Sequence, residues 1–187
     1  MIISAFNSIK ATVLSADKLA ITAAICSVIL VIVLIASIFG AGGSNNGNEE
    51  DPNFYNVEAY VTLNPYAQSN LYGQCTWFAW GRFYEIYDYS PGFLGDGWDC
   101  VDQLIAAHPD KWKESDTPMP NCVFSRIGNN LVGVITKVDG DTLTVQEGNL
   151  DGITNNFQNA TTDWHTIAIS LEELSKRNDG VKFAVLK

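Results

Sequence analysis

The sequence predicts an α+β domain: helices packed on an antiparallel sheet, preceded by one transmembrane helix. Three observations carry this. The helical material comes first and a meander of short strands follows. An Asp-Gly pair sits between two apolar runs of alternating character, the signal of a β-hairpin. An uncharged apolar run of membrane-spanning length lies near the N-terminus.

The 187 residues are 47% hydrophobic and 17% charged, with 15 Gly and 6 Pro, which excludes a disordered or collagen-like chain. Eleven Lys+Arg against 21 Asp+Glu give a net charge of −10. Phosphate contacts need a basic face, so nucleic-acid binding is excluded as a general activity, and anionic headgroups are disfavoured for the same reason.

Residues 19–39, LAITAAICSVILVIVLIASIF, contain no charge and no proline. At 1.5 Å rise per residue they cross the roughly 30 Å hydrocarbon layer as one helix. A secretory signal has a shorter apolar core, and a buried soluble helix normally shows a polar stripe. Lys10 and Lys18 precede the run, and Glu49, Glu50 and Asp51 follow it. The positive-inside rule then places residues 1–18 in the cytoplasm and the rest outside the cell membrane, a single-pass topology. Residues 40–53, rich in Gly and Asn, read as a flexible linker. All but two of the basic residues and all but four of the acids lie beyond it, in the domain of residues 54–187.

Cys26 falls in the apolar run. Cys75, Cys100 and Cys122 are external and odd in number, so no complete disulfide framework exists, although a Cys100–Cys122 bridge with Cys75 free is allowed. Gly73 supplies a turn before a helix in which Trp77, Trp80, Phe83 and Tyr84 recur on one buried face. Cys75 falls in the first turn of that helix, where free N–H groups and the dipole are expected to lower a thiol pKa. A structural cysteine among tryptophans is the plain alternative. A second helix is expected over residues 98–107, ending before His108 and Pro109. Strands follow over 122–125, 131–138 and 142–147, with the turn at Asp139-Gly140. Another strand covers 164–169, a short helix 171–177, and a closing strand 181–186. The hairpin brings position 131 back beside Glu147 and Asn149. Tyr66, Tyr72, Phe93, Trp98 and Trp112 suit a groove or a core equally well. No zinc spacing, calcium loop or phosphate loop is present, so neither a metal nor a cofactor is expected.

These pieces together resemble the CHAP family, the cysteine- and histidine-dependent amidohydrolases/peptidases of bacterial cell walls. The likeness rests on GQCTWFAWGRF around Cys75, GDGWD at 95–99, PMPNCVFS at 118–125, the hairpin segment at 129–152 and the closing VKFAVLK. It implies a papain-like fold with Cys75 as nucleophile, Gln74 beside the oxyanion, and Glu147 and Asn149 as orienting groups. The base histidine of the family stands in a Gly/Asn-His-Val-Gly/Ala run, which here reads Asn130-Leu131-Val132-Gly133, so leucine occupies the base position. His165 is the candidate substitute and His108 a surface residue. The small pair expected after the proline-rich stretch is replaced by Asn121-Cys122. The resemblance implies a membrane-anchored peptidoglycan amidase or endopeptidase homologue, impaired in catalysis by Leu131. The alternative is a pseudo-enzyme that binds wall peptides or an envelope-complex protein. Gram-positive bacteria, their phages and mobile elements are the setting it implies.

Overall fold

The computed structural model describes residues 51–176 and 180–187. The expected cytoplasmic segment, transmembrane helix and most of the linker lie outside those residues. Among the described residues, no helix is long and apolar enough to cross a membrane.

The chain enters through a π-helical turn, Glu58–Thr62, and a short helix α1, Pro65–Gln68, capped by the Asn64 side chain. The long helix α2 spans Cys75–Tyr87. It is closed by Asp88 in the left-handed region, whose N–H bonds back to Tyr84 O. A 3-10 turn, Gly97–Asp99, leads into α3, Cys100–Ala107. The strands are β1 Trp112–Ser115, β2 Cys122–Arg126, β3 Leu131–Asp139, β4 Thr142–Gly148, β5 Trp164–Ser170 and β6 Val181–Leu186. Helix α4, Phe157–Ala160, precedes β5, and α5, Leu171–Lys176, follows it. All strand pairings are antiparallel, in the order β1-β6-β2-β3-β4-β5. The α+β reading is therefore correct.

Two apolar layers flank the sheet. On one face, α2 and α3 bury Trp77, Phe78, Trp80, Phe83, Val101 and Leu104 against Val123, Val132 and Val134. Fully burying such side chains stabilises by about 1.5–3 kcal/mol each. The other face gathers Phe124, Ile135, Val145, Ile169, Phe183 and Leu174 of α5. The expectation that α2 buries a single face falls short, because every residue from Cys75 to Phe83 is buried. The helix is pressed into β4 so closely that a Cβ at Gly148 would stand 2.7 Å from Phe78 Cβ.

The hairpin turn is Gly140-Asp141 rather than Asp139-Gly140, since Asp139 pairs with Thr142 and Gly140 takes φ +59°. A register irregularity at Ile135/Lys137 separates the turn from the functional end. The allowed Cys100–Cys122 bridge does not form: all three described cysteines are free. The sheet stands between them, with Cys100 in the layer beneath the helices and Cys122 in the opposite layer.

Candidate functional site

Cys75 opens α2 after Gln74, which is extended at φ −65°, ψ 148°. Its thiol donates to the carbonyl of Asn130 at 3.8 Å, just before β3 begins. Burial pushes the thiol pKa up, and at 7% exposure that effect dominates. The N–H groups of Val132, Thr76 and Cys75 itself favour the thiolate, and the Asp96 carboxylate opposes it. The helix start thus does not yield the lowered pKa expected from sequence. Desolvation outweighs the backbone donors, and the Asp96 charge has the wrong sign.

Beside this helix start lies a cleft of about 480 Å³, lined by Tyr66, Gln74, Thr76, Asp96, Asp99 and Thr154 among others. The exposed side chains of Leu71 and Leu94 form part of its wall. Tyr66 itself is buried and donates to Gly95 O at 2.8 Å. Gln74 is engaged by side chains: Nε2 donates to Thr154 Oγ1 at 2.7 Å, and Oε1 accepts from Asn149 Nδ2 at 3.5 Å. Asn149 has φ +66°, its N–H donates to Asp163 O, and its buried Oδ1 has no hydrogen-bond partner. Asn149 therefore meets the residue preceding Cys75.

Glu147 is placed differently. Gln146 accepts from Arg82 of α2, and Gly148 abuts Phe78 of the same helix, so strand alternation turns Glu147 to the opposite face. There it ion-pairs with Arg126, and its other oxygen lies 3.4 Å from His165 Nε2. Leu131 pairs with Arg126 across the β2–β3 ladder and packs against both apolar layers. His165 faces Glu147 directly in the β4–β5 register. The structure thus joins Glu147 to His165 and Asn149 to the Cys75 turn, as two separate groups. His108 is held by Ser90 O at 2.8 Å and by an edge contact with Tyr89. Asn121 lies at the other end of α2, where its carbonyl accepts from Tyr87 OH and it lines a second cleft with Arg82 and Glu85.

Comparison with known proteins gives one family match: residues 65–149 match the CHAP domain. Among curated proteins, none is similar in sequence. The domain is similar to a solved N-acetylmuramoyl-L-alanine amidase from Staphylococcus aureus, at 19% identity and a TM-score of 0.45. That match covers 62% of this chain and 31% of the amidase. It is also similar to Ly7917, at 17% identity and a TM-score of 0.42, over 71% of this chain and 60% of that one. A structure of Ly7917 with the hydrolyzing product of MDP gives 16% identity and a TM-score of 0.43. The chain thus spans about a third of the first protein's length and three fifths of the second's.

The CHAP match contains Cys75, Leu131, Glu147 and Asn149, and His165 lies beyond it. Sequence reasoning missed Asp96 and Arg126, the charges that act on Cys75 and on Glu147. Their positions in the chain carried no spacing signal, because both contacts are made through tertiary packing. Of the aromatic candidates, Tyr66, Phe93 and Trp112 are core residues, while Trp98 is 46% exposed. Among the described residues, no group of three or more His, Cys, Asp or Glu is arranged to hold a metal ion.

Proposed function

We propose that this chain is a membrane-anchored, outward-facing homologue of peptidoglycan hydrolases, engaging wall peptide through the cleft beside Cys75, with amide hydrolysis impaired. One observation carries the reading: Cys75 stands at a helix start beside a cleft, as a nucleophile would, yet leucine follows the backbone carbonyl that its thiol meets. Attack on an amide requires the thiol proton to pass to a base and then to the leaving nitrogen. Leu131 can do neither. Losing a general base lowers turnover by about 10²–10⁴-fold.

A non-catalytic role is favoured by a separate observation. The Asp96 charge and the burial of Cys75 both keep the sulfur as a thiol, and Glu147 is committed to Arg126. Binding remains open to such a domain, since a cleft of about 480 Å³ is of ordinary ligand size. The apolar run at residues 19–39 supports anchoring, and protease sensitivity of the C-terminal domain on intact spheroplasts tests its orientation.

Cosedimentation of the full chain with purified sacculi tests the binding. The expected result is saturable binding, reduced at least about fivefold, roughly 1 kcal/mol, by Leu94→Asp. Leu94 is 69% exposed on the cleft wall, so this change leaves the core intact. No binding, or binding indifferent to Leu94→Asp, would discard the cleft as the contact surface.

A further inference from the structure

The sheet face turned away from α2 carries a charged cluster that amide chemistry at Cys75 does not use. Arg126 on β2 ion-pairs with Glu147 on β4, and Glu147 in turn faces His165 on β5. The Arg126 and Glu147 side chains are only 5% and 6% exposed. To meet, they reach across β3. Gly133 makes this crossing feasible, because it places no side chain on that face, and a Cβ there would stand 2.7 Å from the Phe124 ring. The guanidinium carbon lies 5.8 Å from the same ring's centroid.

Leu131 is the β3 residue opposite Arg126. Continuing the β3–β4 register from Val134↔Gln146 puts Leu131 across from Asn149 and diagonal to Glu147, within reach of a long side chain. Position 131 is therefore bounded by the guanidinium on one strand and, on the other, by the carboxylate it holds.

We propose that Arg126 is a positioning residue that commits Glu147 to an ion pair, withholding the carboxylate that an imidazole at position 131 would need. This rests on reading position 131 as the place of the base. On that reading the site is closed twice, once by Leu131 and once by Arg126. A carboxylate orients an imidazole and stabilises its protonated form. A guanidinium on the same carboxylate cancels that charge and competes for its oxygens. Leucine suits the arrangement, since its apolar surface beside the pair limits water and so strengthens the attraction. Among the described residues, Arg126, Glu147 and His165 are charged groups of this cluster.

The test is a proton-NMR titration of the histidine rings in the full chain. Leu131→His is compared with Leu131→His/Arg126→Met, and His108 serves as internal reference. The introduced imidazole is expected to titrate at least about 1 pH unit higher when Arg126 is absent. Adding Glu147→Gln should abolish that rise. In the parent background, Arg126→Met should also move the His165 midpoint upward, a readout that survives if position 131 tolerates no polar group. Equal midpoints with and without Arg126, for both rings, would overturn the proposal. Wall digestion by the double variant bears on the hydrolase reading instead. A midpoint rise without digestion would count against that reading and leave the hold of Arg126 on Glu147 standing.

Discussion

The ionisation of Cys75 separates an armed nucleophile from an idle one, and alkylation kinetics measure it. A cysteine paired with an imidazole in a papain-like site titrates near pH 3–4 and is fully ionised at neutral pH. A thiol of ordinary pKa, about 8.5, is about 3% ionised at pH 7. Burial pushes Cys75 above that range, and Asp96 adds to the effect. At pH 7 the sulfur is thus at least about 30-fold less reactive, by ionisation alone, than in an armed dyad. Its 7% exposure slows access further. The assay is iodoacetamide labelling of the full chain from pH 6 to 10, with Cys75 resolved by peptide mass from Cys100 and Cys122. The rate should rise with pH throughout, with a midpoint above the ordinary thiol value, and Asp96→Asn should lower that midpoint. Cys122, whose pKa burial pushes up to about 12, gives the unreactive baseline. A Cys75 midpoint below pH 7 would refute the reasoning, because it would require a positive partner or base at the sulfur.

Other expectations concern the frame that holds the site. Gly148→Ala forces a Cβ to 2.7 Å from Phe78 Cβ, an atom fixed to the helix backbone, so it should destabilise by about 1–3 kcal/mol in urea unfolding. Glu147→Ala removes a buried carboxylate that Arg126 holds and should lower the urea midpoint by the same measurement. Glu85 accepts from Asn53 N–H, Tyr60 OH and Arg82, yet burial raises its pKa above that of a free carboxyl. A raised carboxyl pKa means the folded state holds the proton more tightly. Its contribution is full below the unfolded value and is lost as pH rises through the folded one. Glu85→Gln should therefore flatten the fall in urea midpoint as pH rises above about 4.5, measured against the parent.

Much of the frame was legible in the residues. The start of α2 followed from Gly73 and the aromatic spacing after it, and the hairpin from its turn and two apolar strands. Strand β6 came out at its exact bounds, and β2 to β5 within one residue, because short β-rich runs between turns leave little choice. Strand β1 was missed: Trp112-Lys-Glu-Ser carries one apolar residue in four and is a strand only because β6 pairs with it. The π-helical turn and α1 were missed as well, since each is too short to show a period. The site was half legible. Cys75, Leu131 and Asn149 fall at one end of the hairpin and helix, as expected. The facing of Glu147 was not, because the hairpin argument located residues along the strands and did not follow which face each side chain takes. The direction of the Cys75 shift was missed for a different reason. Helix position favours the thiolate, but only tertiary packing reveals how much water the sulfur has lost.

Muropeptide release tests the central claim most directly. Purified sacculi are incubated with the full chain and with its Cys75→Ala variant, and soluble fragments are read by mass. The account predicts that both proteins bind sacculi and that the parent releases no more than Cys75→Ala, or at most about a hundredth of what a base-assisted cysteine hydrolase would. Vigorous release by the parent that vanishes in Cys75→Ala would contradict it, and would show that a base reaches the sulfur despite Leu131.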